Sequence, residues 1–129
     1  MKRRDFIKSS LTTLAATAAF QGVASRAIAG SILKIGVMIP LSGPAGLFGP
    51  ASKNVSQMAA DDINAAGGIL GRQVEIVFGD AGLPPAEAAQ TALRLWRGDG
   101  CEAFIGMHDS AVRGALINVF KEQVPCVYC

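Results

Sequence analysis

Residues 32–39 read ILKIGVMI, and this short run of apolar and β-branched residues decides the fold class. Its length and near-continuous hydrophobicity predict a strand that is buried on both faces, as is typical of parallel sheets. A loop rich in glycine, proline and serine follows at residues 40–49. The first predicted element is therefore a buried strand that is followed by a loop.

Strand-like and helix-like segments alternate through the rest of the chain. Further strands are predicted at residues 74–78, 103–106 and 124–128, with helices between them. The apolar residues that recur at helical spacing are Val55, Met58, Ala59, Ile63 and Ala66, then Ala89, Ala92, Leu93 and Trp96, then Val112, Ala115, Leu116, Val119 and Phe120. The order βαβαβαβ predicts an α/β fold with a doubly wound parallel sheet.

Residues 1–29 have the character of a signal peptide. A basic head precedes seventeen uncharged residues, 9–25, and the small-residue sequence Ala27-Ile28-Ala29. A membrane anchor is the alternative, but a spanning helix needs about 20 strongly apolar residues. The run RRDFIK at residues 3–8 is similar to the twin-arginine export motif; Lys2 departs from that motif, so ordinary secretion stays open. Both routes predict an exported, periplasmic protein.

Removal of this segment changes the charge of the chain. The whole sequence has a net charge of +2 and a pI near 8.6, but residues 30–129 carry seven basic and nine acidic residues. The basic pI therefore belongs to the targeting segment, and no basic footprint for nucleic acid remains. The mature part is long enough for one domain or part of one.

Ligands of open α/β sheets bind beyond the carboxyl ends of the strands, which points to the loops at 40–49, 79–84 and 107–110. Ser110 is predicted to cap the third helix, and its hydroxyl and the N–H of Ala111 are candidate donors to a carboxylate or phosphate. His108 and Asp109 are interpreted as crevice-lining or exposed loop residues. Phe48 is either an aromatic platform for a ligand or part of the core.

The spacing of glycines and cysteines argues against two other kinds of site, a dinucleotide site and a redox or metal centre. The glycines of the first loop do not form the G-x-G-x-x-G pattern of a dinucleotide site. Cys126 and Cys129 form a C-x-x-C on a predicted strand, where positions three apart face opposite sides, and this argues against a redox or metal centre. We expect no catalytic residue, metal or cofactor.

Three segments resemble the leucine/isoleucine/valine-binding family of type I periplasmic receptors, whose relatives include amide- and urea-binding receptors. They are IGVMIPLSGP at residues 35–44, ADDINAAGGILG at 60–71, and FIG at 104–106 leading to Ser110. The resemblance implies that residues 30–129 form part of the first lobe of a two-lobed receptor. Such a receptor closes over a small solute and delivers it to an ABC permease in the inner membrane.

The resemblance also implies site residues. Ser110 matches a serine that binds the ligand carboxylate, and Phe48 matches an aromatic contact. Asp109 stands beside that carboxylate position, so an amide, urea-like or cationic solute is as consistent as an aliphatic amino acid. The sequence ends at Cys129 within the fourth predicted strand, as a fragment would. An exported α/β enzyme with a cofactor or metal, and an inactive remnant, are the alternatives.

Overall fold

The computed structural model describes residues 31–129, and the signal peptide predicted for residues 1–29 lies outside them. The elements are β1 (Leu33–Ile39), α1 (Gly49–Ala65), β2 (Val74–Asp80), α2 (Pro85–Arg97), β3 (Ala103–Gly106), α3 (Ser110–Phe120) and β4 (Cys126–Tyr128). This order confirms the predicted alternation. The first loop contains, in addition, a 3₁₀ helix at Pro44–Phe48. None of the helices in this part of the chain has the length and apolar character needed to cross a membrane.

The four strands form one parallel sheet in the order β2-β1-β3-β4. Because parallel neighbours must be joined by crossovers, each connection carries a helix over one face of the sheet. The residues of α1 pack on one face, and those of α2 and α3 pack on the other. The predicted doubly wound α/β fold is therefore confirmed.

The larger core lies between the sheet and helices α2 and α3. Phe104 of β3 is fully buried, and its ring lies 4.6 Å from the ring of Phe120 on α3. Burial of such a side chain contributes about 1.5–3 kcal/mol. The predicted stripe of α3 faces this core, and on α2 the buried residues are Ala88, Ala89, Ala92 and Leu95.

The stripe predicted for α1 is wrong. Val55 and Met58 are 60% and 59% exposed, whereas Ala60 is buried against the sheet. The rotation of the helix is set by Asn64, whose side chain donates to the carbonyl of Val74 (2.9 Å) and accepts from its N–H (2.7 Å). Two hydrogen bonds to the backbone of β2 thus decide which face of α1 meets the sheet.

The segment between α1 and β2, the most specific part of the family-like sequence, builds a tight turn. Gly68 has φ +77°, and a Cβ there would lie 2.0 Å from the carbonyl oxygen of Arg72. Ile69 and Arg72 pair across this turn through two backbone hydrogen bonds of 2.9 and 3.0 Å. The turn therefore fixes where β2 begins. It lies at the amino-terminal ends of the strands, opposite to the carboxyl ends.

Candidate functional site

A crevice of about 570 Å³ opens at the carboxyl ends of β1, β2 and β3. It lies where the strand order reverses, because β2 and β3 flank β1 on opposite sides. This switch point is where open α/β sheets bind ligands. All three loops that the sequence pointed to contribute to the crevice. Its polar side chains are Ser42, His108 and Asp109, and its apolar lining includes Pro40, Pro44, Leu83, Ala111 and Val112.

Asp80, at the end of β2, ties the first two loops together. Its Oδ1 accepts hydrogen bonds from the N–H groups of Leu41 (2.9 Å), Ser42 (3.3 Å) and Gly82 (2.7 Å). Burial alone raises the pKa of Asp80, but hydrogen bonds from the Ser42 side chain and these N–H groups outweigh it and hold the pKa below its usual value. The carboxylate is therefore the acceptor that shapes one wall of the crevice.

The second wall depends on a sharp turn at the end of β3. Gly106 and Met107 both have positive φ, at +114° and +69°. The N–H of Met107 donates to the carbonyl of Met38 on β1 (2.9 Å), and the Met107 side chain is fully buried. This anchored turn brings His108 and Asp109 into the crevice lining.

Asp109, not Ser110, caps α3. Its Oδ1 accepts from the N–H groups of Ala111 (2.8 Å) and Val112 (3.0 Å). Ser110 is the first helical residue, and the predicted Ser110 cap is therefore wrong. Both residues are good N-cap types, so the sequence did not distinguish them. The N–H of Ala111 thus donates to Asp109 in this structure, and the roles of Ser110 and Ala111 as donors to a ligand stay predictions.

Phe48 ends the 3₁₀ helix and is 59% exposed. The interpretation that Phe48 packs into the core is therefore wrong. It does not contribute to the lining of the crevice, although Pro44 and Ala45 from the same 3₁₀ helix do. The role of Phe48 as an aromatic platform stays a prediction.

Three residues of the site region were missed by sequence reasoning. Ser42 lines the crevice and donates to Asp80, and its place in the loop that follows β1 was the available signal. Cys129 lies 3.9 Å (Sγ) from Nδ1 of His108. Arg113 reaches over the end of β4, with its guanidinium 5.3 Å from the ring of Tyr128. The last two contacts join distant parts of the sequence, and no local pattern predicts them.

The crevice combines a few polar side chains with a mostly apolar lining. A hydroxyl, an imidazole and a carboxylate stand among predominantly apolar residues, as in many small-molecule pockets. Within residues 31–129, no cluster of three or more His, Cys, Asp or Glu side chains is placed to hold a metal ion. The strand order and the crevice together define the class of the fold, an open α/β sheet with a crevice at its switch point.

Comparison with known proteins agrees with this class. The Leu/Ile/Val-binding protein BraC3 of Rhizobium johnstonii is 34% identical over 117 residues, which are 91% of this chain and 30% of that protein. LivJ of Streptococcus pneumoniae, a branched-chain amino acid transporter substrate-binding protein solved with isoleucine, aligns with a TM-score of 0.68 at 33% identity. That alignment covers 76% of this chain and 28% of LivJ. The leucine-binding protein LivK of Thermotoga maritima aligns with a TM-score of 0.64 at 30% identity over 75% and 27% of the two chains.

The family described as periplasmic binding protein matches residues 32–129. The chain belongs to this family, and the predicted family resemblance is confirmed. The chain spans about 30% of the length of BraC3 and of LivJ and LivK. The three relatives named above are a Leu/Ile/Val-binding protein, a branched-chain amino acid transporter substrate-binding protein and a leucine-binding protein.

Proposed function

We propose that the chain is the first-lobe part of an ABC importer's solute receptor, exported to the periplasm, and that its crevice contributes half of the solute site. The crevice at the switch point of the sheet carries this proposal. The receptor would deliver its solute to a permease in the inner membrane. The solute classes are amino acids and amide- or urea-like molecules.

The negative charge of Asp109 in the crevice restricts the classes of solute that we expect to bind. The Asp109 carboxylate lines it and also occupies the start of α3, where an anion would otherwise find free N–H groups. A solute carboxylate at that position would therefore lose the Ala111 donor and meet a like charge. We expect an amide, urea-like or cationic solute to bind with its donors toward Asp109 and His108, with the Ser110 hydroxyl at the rim.

Titration of the full chain with a panel of neutral and cationic amino acids, amides and urea, followed by NMR, tests the proposal. We expect weak but saturable shifts of Ser42, Gly82, His108 and Asp109 for at least one class, because half of a site binds weakly. His108→Ala should weaken binding. Ser56→Ala, on α1 and outside the crevice, is the matched control. Absence of saturable shifts across the whole panel would refute the proposal.

Two substitutions of Asp109 distinguish its role as the N-cap of α3 from the effect of its negative charge on solute binding. Asp109→Asn keeps a good cap, so we expect little change in the free energy of unfolding and a shift of preference toward solutes with a carboxylate. Asp109→Ala removes the cap and should cost about 1 kcal/mol of stability. Urea unfolding and the NMR titration measure the two effects. An unchanged preference in Asp109→Asn would show that this carboxylate does not face the solute.

A further inference from the structure

Ser42 is the polar side chain that the first loop contributes to the crevice. Its hydroxyl and its N–H both bind the carboxylate of Asp80, and the N–H lies 3.3 Å from Oδ1. Because an ionised carboxylate has acceptors and no proton to give, the hydroxyl is the donor of this hydrogen bond. The single proton of the Ser42 hydroxyl is therefore shared with Asp80 in this structure.

The carboxylate of Asp80 is ionised at neutral pH. Burial raises its pKa, but the hydrogen bonds that it accepts outweigh burial and hold the pKa below its usual value. Of these hydrogen bonds, the one from the Ser42 side chain lowers the pKa most. Oδ1 also accepts from the N–H groups of Leu41 (2.9 Å) and Gly82 (2.7 Å). The charge of Asp80 thus sets the direction of the Ser42 O–H bond.

The packing of the two loops keeps Ser42 beside Asp80. A Cβ at Gly82 would lie 2.1 Å from the carbonyl oxygen of Ser42, so the second loop approaches the first closely there. Gly43 has φ +68°, and a Cβ on it would lie 3.1 Å from the carbonyl oxygen of Gly82. The backbone of Ser42 therefore has little room to move relative to Asp80.

The second carboxylate of the crevice is also paired with nearby donors. Asp109 Oδ1 accepts from the N–H groups of Ala111 (2.8 Å) and Val112 (3.0 Å). The donors beside both carboxylates are thus paired within the protein, whereas the oxygen of a serine hydroxyl has two lone pairs with which to accept. Ser42 and Asp109 therefore present hydrogen-bond acceptors to the crevice that they line.

We propose that Ser42 is a specificity-determining residue of the crevice, which accepts a hydrogen bond from an N–H group of the solute, and that Asp80 is the positioning residue that sets this direction. The inference rests on the proposed function, because it concerns the solute of the same crevice. It narrows the solute to molecules with N–H donors, such as primary amides, ureas, amidines and ammonium compounds. An analogue whose nitrogen is fully alkylated leaves the Ser42 oxygen without a donor, and an acceptor without a partner weakens binding.

The direction of the hydroxyl is tested without any solute. NMR of the carboxyl carbon follows the ionisation of Asp80 in the native chain, in Ser42→Ala and in Ser42→Thr. We expect a higher pKa of Asp80 in Ser42→Ala, because a donor that stabilises the ionised form is lost, and a pKa near the native one in Ser42→Thr, which keeps a hydroxyl. Ser56→Ala, outside the crevice, should leave the pKa unchanged. An equal pKa of Asp80 in the native chain and in Ser42→Ala would overturn the inference.

The preference for N–H donors is measured by NMR titration of the full chain with acetamide and with N,N-dimethylacetamide, which has the same carbonyl and no N–H group. We expect the native chain to bind acetamide more tightly, and Ser42→Ala to reduce this preference about 2- to 10-fold, as for the loss of one hydrogen bond. Ser42→Thr and Ser56→Ala should retain the preference. Asp80→Asn should reduce it although Ser42 is present, because an amide N–H donates to the Ser42 oxygen and turns the hydroxyl proton toward the solute.

The outcomes distinguish this inference from the proposed function. Saturable binding with the same preference in the native chain and in Ser42→Ala would overturn the inference and leave the proposed function intact. Retention of the preference in Asp80→Asn would remove the positioning role of Asp80. Absence of saturable binding for every solute of the panel would refute both. Circular dichroism of each variant establishes that folded proteins are compared.

Discussion

Replacement of Gly106 by alanine is expected to destabilise the protein more than any other single methyl group added to the sheet. Gly106 has φ +114°, and a Cβ there would lie 2.2 Å from the carbonyl oxygen of Met38. That carbonyl accepts a hydrogen bond from the N–H of Met107, so the clash disrupts this hydrogen bond between β1 and the turn after β3. We expect a loss of about 3 kcal/mol or more, from backbone strain and steric overlap together. Urea unfolding followed by circular dichroism measures it.

Gly114→Ala provides the matched control for this prediction. Gly114 lies within α3, and a Cβ there would meet nothing within 4 Å. The same change should therefore be neutral, or should stabilise the helix by about 0.5–1 kcal/mol. Equal free energies of unfolding for Gly106→Ala and Gly114→Ala would contradict this prediction. The lack of space beside the Met38 carbonyl oxygen would then not be the reason that position 106 requires glycine. His108 and Asp109 should also lose their defined positions in Gly106→Ala, because they follow that turn directly.

Removal of the Asp80 carboxylate is expected to open the crevice. In Asp80→Ala, the N–H groups of Leu41, Ser42 and Gly82 lose their shared acceptor. Hydrogen bonds to a charged group contribute about 1.5–3 kcal/mol each, and water replaces part of this at a partly buried site. We therefore expect a loss of about 2–4 kcal/mol, and altered amide resonances in both loops. Asp80→Asn, which keeps one acceptor oxygen, should lose less.

The stability of the native chain and of Asp80→Asn should differ in pH dependence. Because folding lowers the pKa of Asp80, the ionised carboxylate stabilises the native state above the unfolded pKa, about 4. That contribution is lost as the pH falls through the lower, folded pKa. The stability difference between the two proteins should therefore shrink below about pH 4. A difference that stays constant from pH 7 to pH 3 would contradict the role assigned to the charge.

Local patterns were sufficient for the architecture of residues 31–129. Four strands and three helices lie in the order that hydrophobic periodicity predicted, because the strands and helices α2 and α3 bury apolar residues in the cores on the sheet. The location of the crevice followed as well, since the carboxyl ends of parallel strands share an edge. The buried residues of α3 (Val112, Leu116 and Phe120) were predicted from their spacing alone.

Periodicity failed where a hydrogen bond decided between similar alternatives. The apolar stripe of α1 predicted the wrong buried face, because Asn64 binds the backbone of Val74 and sets the rotation of the helix. At α3, Asp109 and Ser110 are both capping residues, and only the backbone geometry after β3 selects Asp109. Such choices depend on contacts across the chain and have no signature within one segment.

The sequence alone thus determined the fold class, the family, and the three loops that surround the crevice. Only the tertiary structure decided which polar groups in those loops are hydrogen-bonded to other parts of the protein. Asp80 and Asp109 accept hydrogen bonds from backbone N–H groups, and His108 lies near Cys129, which follows β4. The physical reason is that hydrophobic burial is read from local spacing, whereas polar groups are satisfied by partners that folding brings from distant positions.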